Sequence, residues 1–378
     1  MSNTRALSVW LDDERSAPSC DWIVATTAQD AILLLRTGQV ATISLDHDLG
    51  DDASGTGYDV LLWIERAVAE RGFRPPVTHV HTANPPARIR MLAAVEAISR
   101  IVAASATVPD TPETRLAALP PGYVETVVAK SREALGDALQ EVILYGSRAY
   151  GRPGPDSDCD IALVVTERTW LDGKDQYELA SDVNNVFHYQ PRTEFHVSTR
   201  EDIESYRGVA MSMQSHILER GIRLYVSDRA AVPGKVVEPK THHSIAIQWL
   251  MFAEGKIRTI EHELSDIEIG RFPASVIDTE YLFYAACWSF KAVLFARGIN
   301  CAERKLRWNL PPLQRLASLF EPAMRPLSAA ISALPWYYDQ FRYGHIDWQV
   351  NGRTREELQA ALAAARRIYA TCAKATLG

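Results

Sequence analysis

Apolar and polar positions alternate in short blocks through the N-terminal region. Leu7 to Leu11 is an apolar run too short for a buried helix, so it reads as a strand. From Ala28 to Arg36 the apolar positions Ala31, Ile32, Leu34 and Leu35 fall on one side at helical spacing. Val40 to Leu45 reads as a second strand, Tyr58 to Glu70 as an amphipathic helix, Val77 to His81 as a strand, and Ala87 to Ile98 as a helix. Strands alternating with helices imply a doubly wound parallel sheet covered by helices on both faces. Ligands then bind at the carboxyl ends of the strands. Asp12, Asp13, Asp46, Asp48, His81 and Thr82 fall there.

Beyond this block the pattern changes twice. Pro109, Pro112, Pro120 and Pro121 among small polar residues mark a linker over 105–122. Next come a helix from Tyr123 to Leu135, an apolar strand from Val142 to Tyr145, and a strand from Asp158 to Val165. A helix around Asp175 to Phe187 and a strand from Thr193 to Ser198 follow. A helix from Met211 to Arg220, stopped by Gly221, and a strand from Ile222 to Val226 close this second α/β domain, which has a mixed sheet. A second linker spans 229–240. The remainder has helical periods only: Thr241 to Ile267, Thr279 to Arg297 with Asp278 as N-cap and Gly298 as stop, Leu313 to Phe320, and Glu356 to Ala373. The expected architecture is multidomain, α/β and α: residues 1–104, 123–228, and a four-helix bundle over 241–378.

Composition narrows the class. A chain of 378 residues, 47% of them hydrophobic, suits two or three packed domains. The formal charge of −7 advertises no nucleic-acid surface, although a local basic patch is compatible with it. Five scattered cysteines without a CxxC pair suit reduced thiols, and the absence of a signal-like segment or long apolar run points to a soluble cytoplasmic protein.

The sharpest chemistry lies in Leu144-Tyr145-Gly146-Ser147-Arg148 and Asp156-Ser157-Asp158-Cys159-Asp160. Successive strand residues point to opposite faces, so Asp158 and Asp160 project together while Cys159 points the other way. Paired carboxylates repel unless a cation lies between them, and hard oxygen ligands suit Mg²⁺ or Mn²⁺. Gly146 allows close backbone approach to a phosphate, Ser147 adds a hydroxyl, and the Arg148 guanidinium matches phosphate oxygens. The arrangement resembles nucleotidyltransferases of the DNA polymerase β superfamily, in particular their minimal branch and the kanamycin-type enzymes. The resemblance implies a third carboxylate on the next strand, here Glu194 where Asp is usual. It also implies catalysis by Asp158, Asp160 and Glu194 on a metal-bound nucleoside triphosphate, ATP being the expected donor. His196 shares the face of Glu194 and reads as a packed residue.

The N-terminal order is similar to a receiver domain, with an acidic pair after the first strand, Asp46 after the receiver's third, and Thr82-Ala83 after its fourth. No lysine matches the receiver's after its fifth strand; Ser99-Arg100-Ile101-Val102 stands there. Leu-Asp-Asp-Glu-Arg, Ser-Leu-Asp-His-Asp-Leu-Gly and His-Thr-Ala-Asn-Pro are similar to a receiver variant proposed to process cyclic phosphates. In that reading Asp12, Asp13, Asp46 and Asp48 hold a divalent cation and His81 moves a proton. A degenerate regulatory or docking receiver is the alternative. The terminal helices resemble HEPN domains and the C-terminal domain of kanamycin-type nucleotidyltransferases. HEPN ribonucleases carry Arg and His with four to six residues between them, whereas Arg342 and His345 here have two. The bundle, with Trp336, Tyr337, Tyr338, Phe341 and Tyr343, reads as a lid that shapes an acceptor pocket.

The function expected is metal-dependent transfer of NMP from a nucleoside triphosphate to a hydroxyl of a protein (a tyrosine) or small molecule, in a regulatory or defence setting. RNA, a cyclic phosphate and a second copy of the chain are further expected partners; a membrane is not. The competing readings are a nucleotide sensor without turnover, and a cyclic-phosphate hydrolase or HEPN RNA-processing protein.

Overall fold

In a computed structural model of the chain, the structure describes residues 6–105, 111–150, 153, 157–166, 176–187, 192–209, 212–228, 239–268, 280–301, 306, 308–334 and 355–378. The strands are β1 (Leu7–Leu11), β2 (Trp22–Ala25), β3 (Val40–Leu45), β4 (Val77–Val80), β5 (Leu139–Tyr145), β6 (Cys159–Val165), β7 (Thr193–Thr199) and β8 (Ile222–Val226). The helices used below are α1 (Ala28–Arg36), α2 (Gly57–Arg71), α3 (Pro85–Ser105), α4 (Pro112–Ala117), α5 (Tyr123–Leu135), α6 (Ser147–Tyr150), α7 (Gln176–Val186), α8 (Arg200–Ser205), α9 (Met213–Arg220), α10 (His242–Glu268), α11 (Glu280–Ala296), α12 (Leu310–Phe320), α13 (Ser328–Ile331) and α14 (Arg355–Leu377). The fold is multidomain, with a parallel sheet, a mixed sheet and a helical region.

Two compact units result. Described residues up to Val60, Pro76–Arg88 and the chain from Thr241 onward form one; Leu61–Pro75 and Ile89–Lys240 form the other. In the first unit the parallel sheet has the order β2-β1-β3-β4. Leu7, Val9 and Leu11 on β1, Ile43 and Leu45 on β3, and Ala31, Leu34 and Leu35 on α1 are buried. Thr27 caps α1, its side chain accepting from the Asp30 N–H, and Gly38 turns the chain back with φ +70°. β2 is an edge strand that the sequence pattern misses, because only Ala25 of its four residues is buried. α3 continues through Ser99-Arg100-Ile101-Val102, where a receiver would place its fifth strand. The missing lysine therefore has a structural reason: that segment is helical.

The C-terminal helices of this unit pack α10, α11 and α14 on one another and α12 on α11. Leu282, Ala285, Ala286, Phe290 and Val293 form the buried stripe of α11. The helical layer joins the sheet layer through single polar residues. Arg315 on α12 pairs with Asp30 on α1. The Gln39 amide donates to Gly298 O (2.7 Å) and accepts from Asn300 N (2.7 Å), while Asn300 Nδ2 donates to Thr37 O (3.0 Å). Asp278, Trp336 to Tyr338, Phe341, Arg342, Tyr343 and His345 lie outside the described residues.

In the second unit the sheet order is β7-β6-β5-β8. β5 runs antiparallel to β6 and β8, and β6 runs parallel to β7. One face (Val142, Leu144, Ile161, Leu163, Val165) packs with Tyr123 and Val127 of α5 and Leu179 and Val183 of α7. The other (Ile143, Tyr145, Ala162, Val164) packs with Ile203 of α8 and Ile217 of α9. β6 is thus buried on both faces, which accounts for its nearly unbroken apolar run. The proline-rich stretch 105–122 holds α4, fixed by a reciprocal capping box between Thr111 and Thr114. Gly221 ends α9 in an extended conformation, not a left-handed one. A Cβ there would lie 2.5 Å from Ile217 O and 2.6 Å from Ile143 Cγ2.

Gln39 is buried and satisfies two backbone groups of the helical layer. Gln39→Ala leaves both without that partner and costs about 1–3 kcal/mol. A lower midpoint in urea unfolding of the full chain is the expected reading; an unchanged midpoint removes Gln39 as the link between the layers.

Candidate active site

The end of the mixed sheet gathers the residues of the Gly-Ser and Asp-x-Asp motifs. Asp158 and Asp160 are partly exposed and flank Cys159, which is fully buried, as the pleat requires. The parallel register sets Asp160 beside Glu194 and Cys159 beside Thr193. On its other side Asp160 pairs with Tyr145, the last residue of β5. Gly146 follows in the left-handed region, φ +72°, and a Cβ there would fall 1.8 Å from Asp160 Oδ2. The glycine is therefore demanded twice, by backbone conformation and by the carboxylate against it.

Beneath the carboxylates lies a small polar clamp. The Tyr123 hydroxyl is 2.7 Å from Thr193 Oγ1 and hydrogen-bonds Cys159. Cys159 N donates to Arg192 O at 2.8 Å. Burial pushes both the Tyr123 phenol and the Cys159 thiol up, so both stay neutral. The clamp joins the start of β6 to the start of β7, fixing the Asp160–Glu194 pairing from below. Arg148 Nε donates to Ser157 O (3.0 Å) and Asp158 O (3.2 Å), which ties the chain entering β6 to α6. Ser147 opens α6 directly after Gly146. Glu194 is 3.5 Å from Arg192 Nη2. His196 stands two residues along β7, on the same face and level with Ala162. Burial lowers its pKa, and its Nε2 has no hydrogen-bond partner among the described residues. Asp156 lies outside the described residues.

The second acidic group lies at the carboxyl ends of the parallel sheet, and here the structure divides it. Asp12 Oδ1 accepts from Glu14 N (2.9 Å) and Arg15 N (2.7 Å). Its Oδ2 meets Arg15 Nε (3.0 Å) and His81 Nε2 (3.1 Å). Arg15 Nη2 reaches Asp46 Oδ2 at 2.6 Å. Burial pushes Asp12 up, but the two backbone donors, His81 and Arg15 outweigh it and hold the carboxyl below its usual range. His81 Nδ1 lies 2.7 Å from Ser44 Oγ, and its ring stacks on Trp10 at 3.8 Å and 11°. Burial lowers the His81 pKa against the opposing pull of Asp12. Asp13 lies against Gly50, and Asp48 accepts from Asn84 Nδ2 at 3.3 Å. The structure thus brings Asp12, Asp46 and His81 together through Arg15, while the recorded contacts of Asp13 and Asp48 are elsewhere. Sequence reasoning passes over Arg15, Ser44, Trp10 and Tyr123; the i, i+3 spacing of Asp12 and Arg15 is the one available signal.

Among the described residues, no three His, Cys, Asp or Glu side chains converge as a ready metal cage. At the β6 end the donor types nevertheless fit a hard cation, because the register sets the Asp160 carboxylate beside that of Glu194, with Asp158 two residues before it. Residues 7–97 match the family model described as cyclic-phosphate processing receiver domain. Residues 133–230 match the one described as polymerase beta, nucleotidyltransferase. Over those residues the chain is similar to a receiver-like domain and to a polymerase β-type nucleotidyltransferase domain, and neither match covers half of the chain. No curated protein matches it. Among the described residues, no helix is long and apolar enough to cross a membrane.

Gly146→Ala forces an L-residue into the left-handed region beside Asp160. The strain costs about 1–3 kcal/mol, and the carboxylate has to move. Thermal unfolding should register the first effect and weaker Mn²⁺ binding the second; unaltered Mn²⁺ binding would mean that Asp160 does not need its present place.

Proposed function

We propose that the chain transfers a nucleoside monophosphate, AMP from ATP, to an acceptor hydroxyl at the β6 end of the mixed sheet. The observation that carries this reading is the packing of Asp160 against Gly146 and beside Glu194, with Asp158 two residues before it in the chain. Asp158, Asp160 and Glu194 would hold Mg²⁺ or Mn²⁺. The cation supplies charge neutralisation and polarises the phosphoryl oxygens. Gly146 admits the triphosphate close to the backbone, and Ser147 donates its hydroxyl to the β- and γ-phosphates. Arg148 holds the segment entering β6 and so steadies Asp158. Glu194 takes the proton from the acceptor hydroxyl as its oxygen bonds to the α-phosphorus. The bond from that phosphorus to the bridging oxygen breaks, and pyrophosphate leaves past Gly146 and Ser147.

The acceptor class is a protein tyrosine or a small-molecule hydroxyl. A receiver-like domain in the same chain supports a regulatory or defence role in the cytoplasm, with the C-terminal helices as a HEPN-like partner in cis. The RNA-processing reading rests on Arg342 and His345, both outside the described residues. Phosphoesterase action by the receiver-like domain would rest on His81, whose two ring nitrogens face Asp12 and Ser44. A second reading is nucleotide binding without turnover.

Incubation with α-labelled ATP and Mg²⁺ separates the two, with intact mass reporting any AMP added to the chain itself. Transfer should fall at least about 10²-fold in Asp158→Ala/Asp160→Ala, the scale expected when electrostatic stabilisation at the reacting centre is removed. ATP binding with no release of pyrophosphate would support the sensor and overturn the transferase.

A further inference from the structure

The receiver-like centre invites a divalent cation by its composition, but its lone pairs are already spent. The Asp12 side chain is 0% exposed: Oδ1 accepts two backbone hydrogen bonds, and Oδ2 meets His81 Nε2 and forms an ion pair with Arg15 Nε. A carboxylate offers about four lone-pair sites, so little is left for a metal. Asp46 accepts from His47 N (2.7 Å) at Oδ1 and from Arg15 at Oδ2. Arg15 bridges Asp12 Oδ2 and Asp46 Oδ2. The remaining end of the guanidinium is anchored as well, Nη1 donating to His81 O at 3.0 Å.

We propose that the Arg15 guanidinium takes the place of a divalent cation in the receiver-like centre, making that centre metal-independent. A guanidinium suits the position on three grounds. It is charged at every accessible pH, it is planar, and its forked donors reach two carboxylates and a carbonyl at once. Mg²⁺ would need oxygens at about 2.0–2.1 Å in near-octahedral geometry, and Asp12 and Asp46 now hold their oxygens at hydrogen-bond distance from nitrogen. His81 is no replacement ligand. Both ring nitrogens face partners, and the ring is stacked on Trp10. With 46% of its side chain exposed, Arg15 also leaves an edge toward solvent, and that edge is the element of this centre suited to phosphate oxygens.

The inference rests on this centre alone, and its test is separate from nucleotidyl transfer. The full chain carrying Asp158→Ala/Asp160→Ala, which removes the β6 carboxylates, is titrated with Mn²⁺ while the free ion is followed by electron paramagnetic resonance. No Mn²⁺ site is expected in this parent. Adding Arg15→Ala or Arg15→Met should create one, and a further Asp46→Asn should abolish it. A parent that binds Mn²⁺ and loses it on Asp46→Asn overturns the proposal. So do Arg15 variants that keep the native circular dichroism and gain no Mn²⁺. If the Arg15 variants fail to fold, the parent and its Asp46→Asn form decide alone: binding lost on Asp46→Asn overturns the proposal, and no Mn²⁺ site in either supports it.

Discussion

The second unit turns on the contact between the Asp160 carboxylate and the bare backbone of Gly146. A single Cβ at that glycine would occupy the space of Asp160 Oδ2. The contact exists because β5 ends at Tyr145, level with Asp160, and the chain then turns with positive φ straight into α6. Strand pairing, turn and helix start are thus committed together. The position of Ser147 and the aim of Arg148 at the carbonyls of Ser157 and Asp158 follow from the same turn. The Tyr123–Cys159–Thr193 clamp fixes the other side by holding β6 and β7 in register. Asp160 is therefore confined from two strands and one turn, while Asp158 and Glu194 remain partly open.

The chain's two acidic groups handle repulsion between like charges in opposite ways. In the receiver-like centre a permanent cation from the chain itself sits between Asp12 and Asp46. At the β6 end, among the described residues, Arg192 lies a loose 3.5 Å from Glu194 and is largely exposed. Exposed pairs of this kind contribute little. Composition alone makes the two groups look alike; only the placement of one arginine separates them.

What is legible in the sequence follows from periodicity. Ala28–Arg36, Val40–Leu45, Tyr123–Leu135 and Ile222–Val226 are read with the bounds the structure has, since each has a clean apolar pattern between turn residues. β2 escapes such a reading because an edge strand with one buried residue carries no pattern. α4 is hidden among prolines, although Thr111 and Thr114 are in place to cap it. The Gly-Ser and Asp-x-Asp motifs are local, and so can be read from neighbouring letters. Arg15 between Asp12 and Asp46, and Tyr123 between Cys159 and Thr193, are contacts across long stretches of chain, which no window reveals.

The same distinction explains the C-terminal helices. Their inward stripe repeats at helical spacing, so Leu282 to Val293 is legible as a packed face from periodicity alone. Beside the packing of α12 on α1 and β2, three positions of the sheet layer, Asp30, Thr37 and Gln39, are matched to Arg315, Asn300 and Gly298. Apolar stripes are interchangeable in partner, since any face of suitable width is covered with similar gain. Buried amides are not, because each N–H and C=O requires its counterpart. Gln39, held at both ends of its amide, therefore specifies which sheet these helices cover. The apolar stripe supplies only the need to be covered.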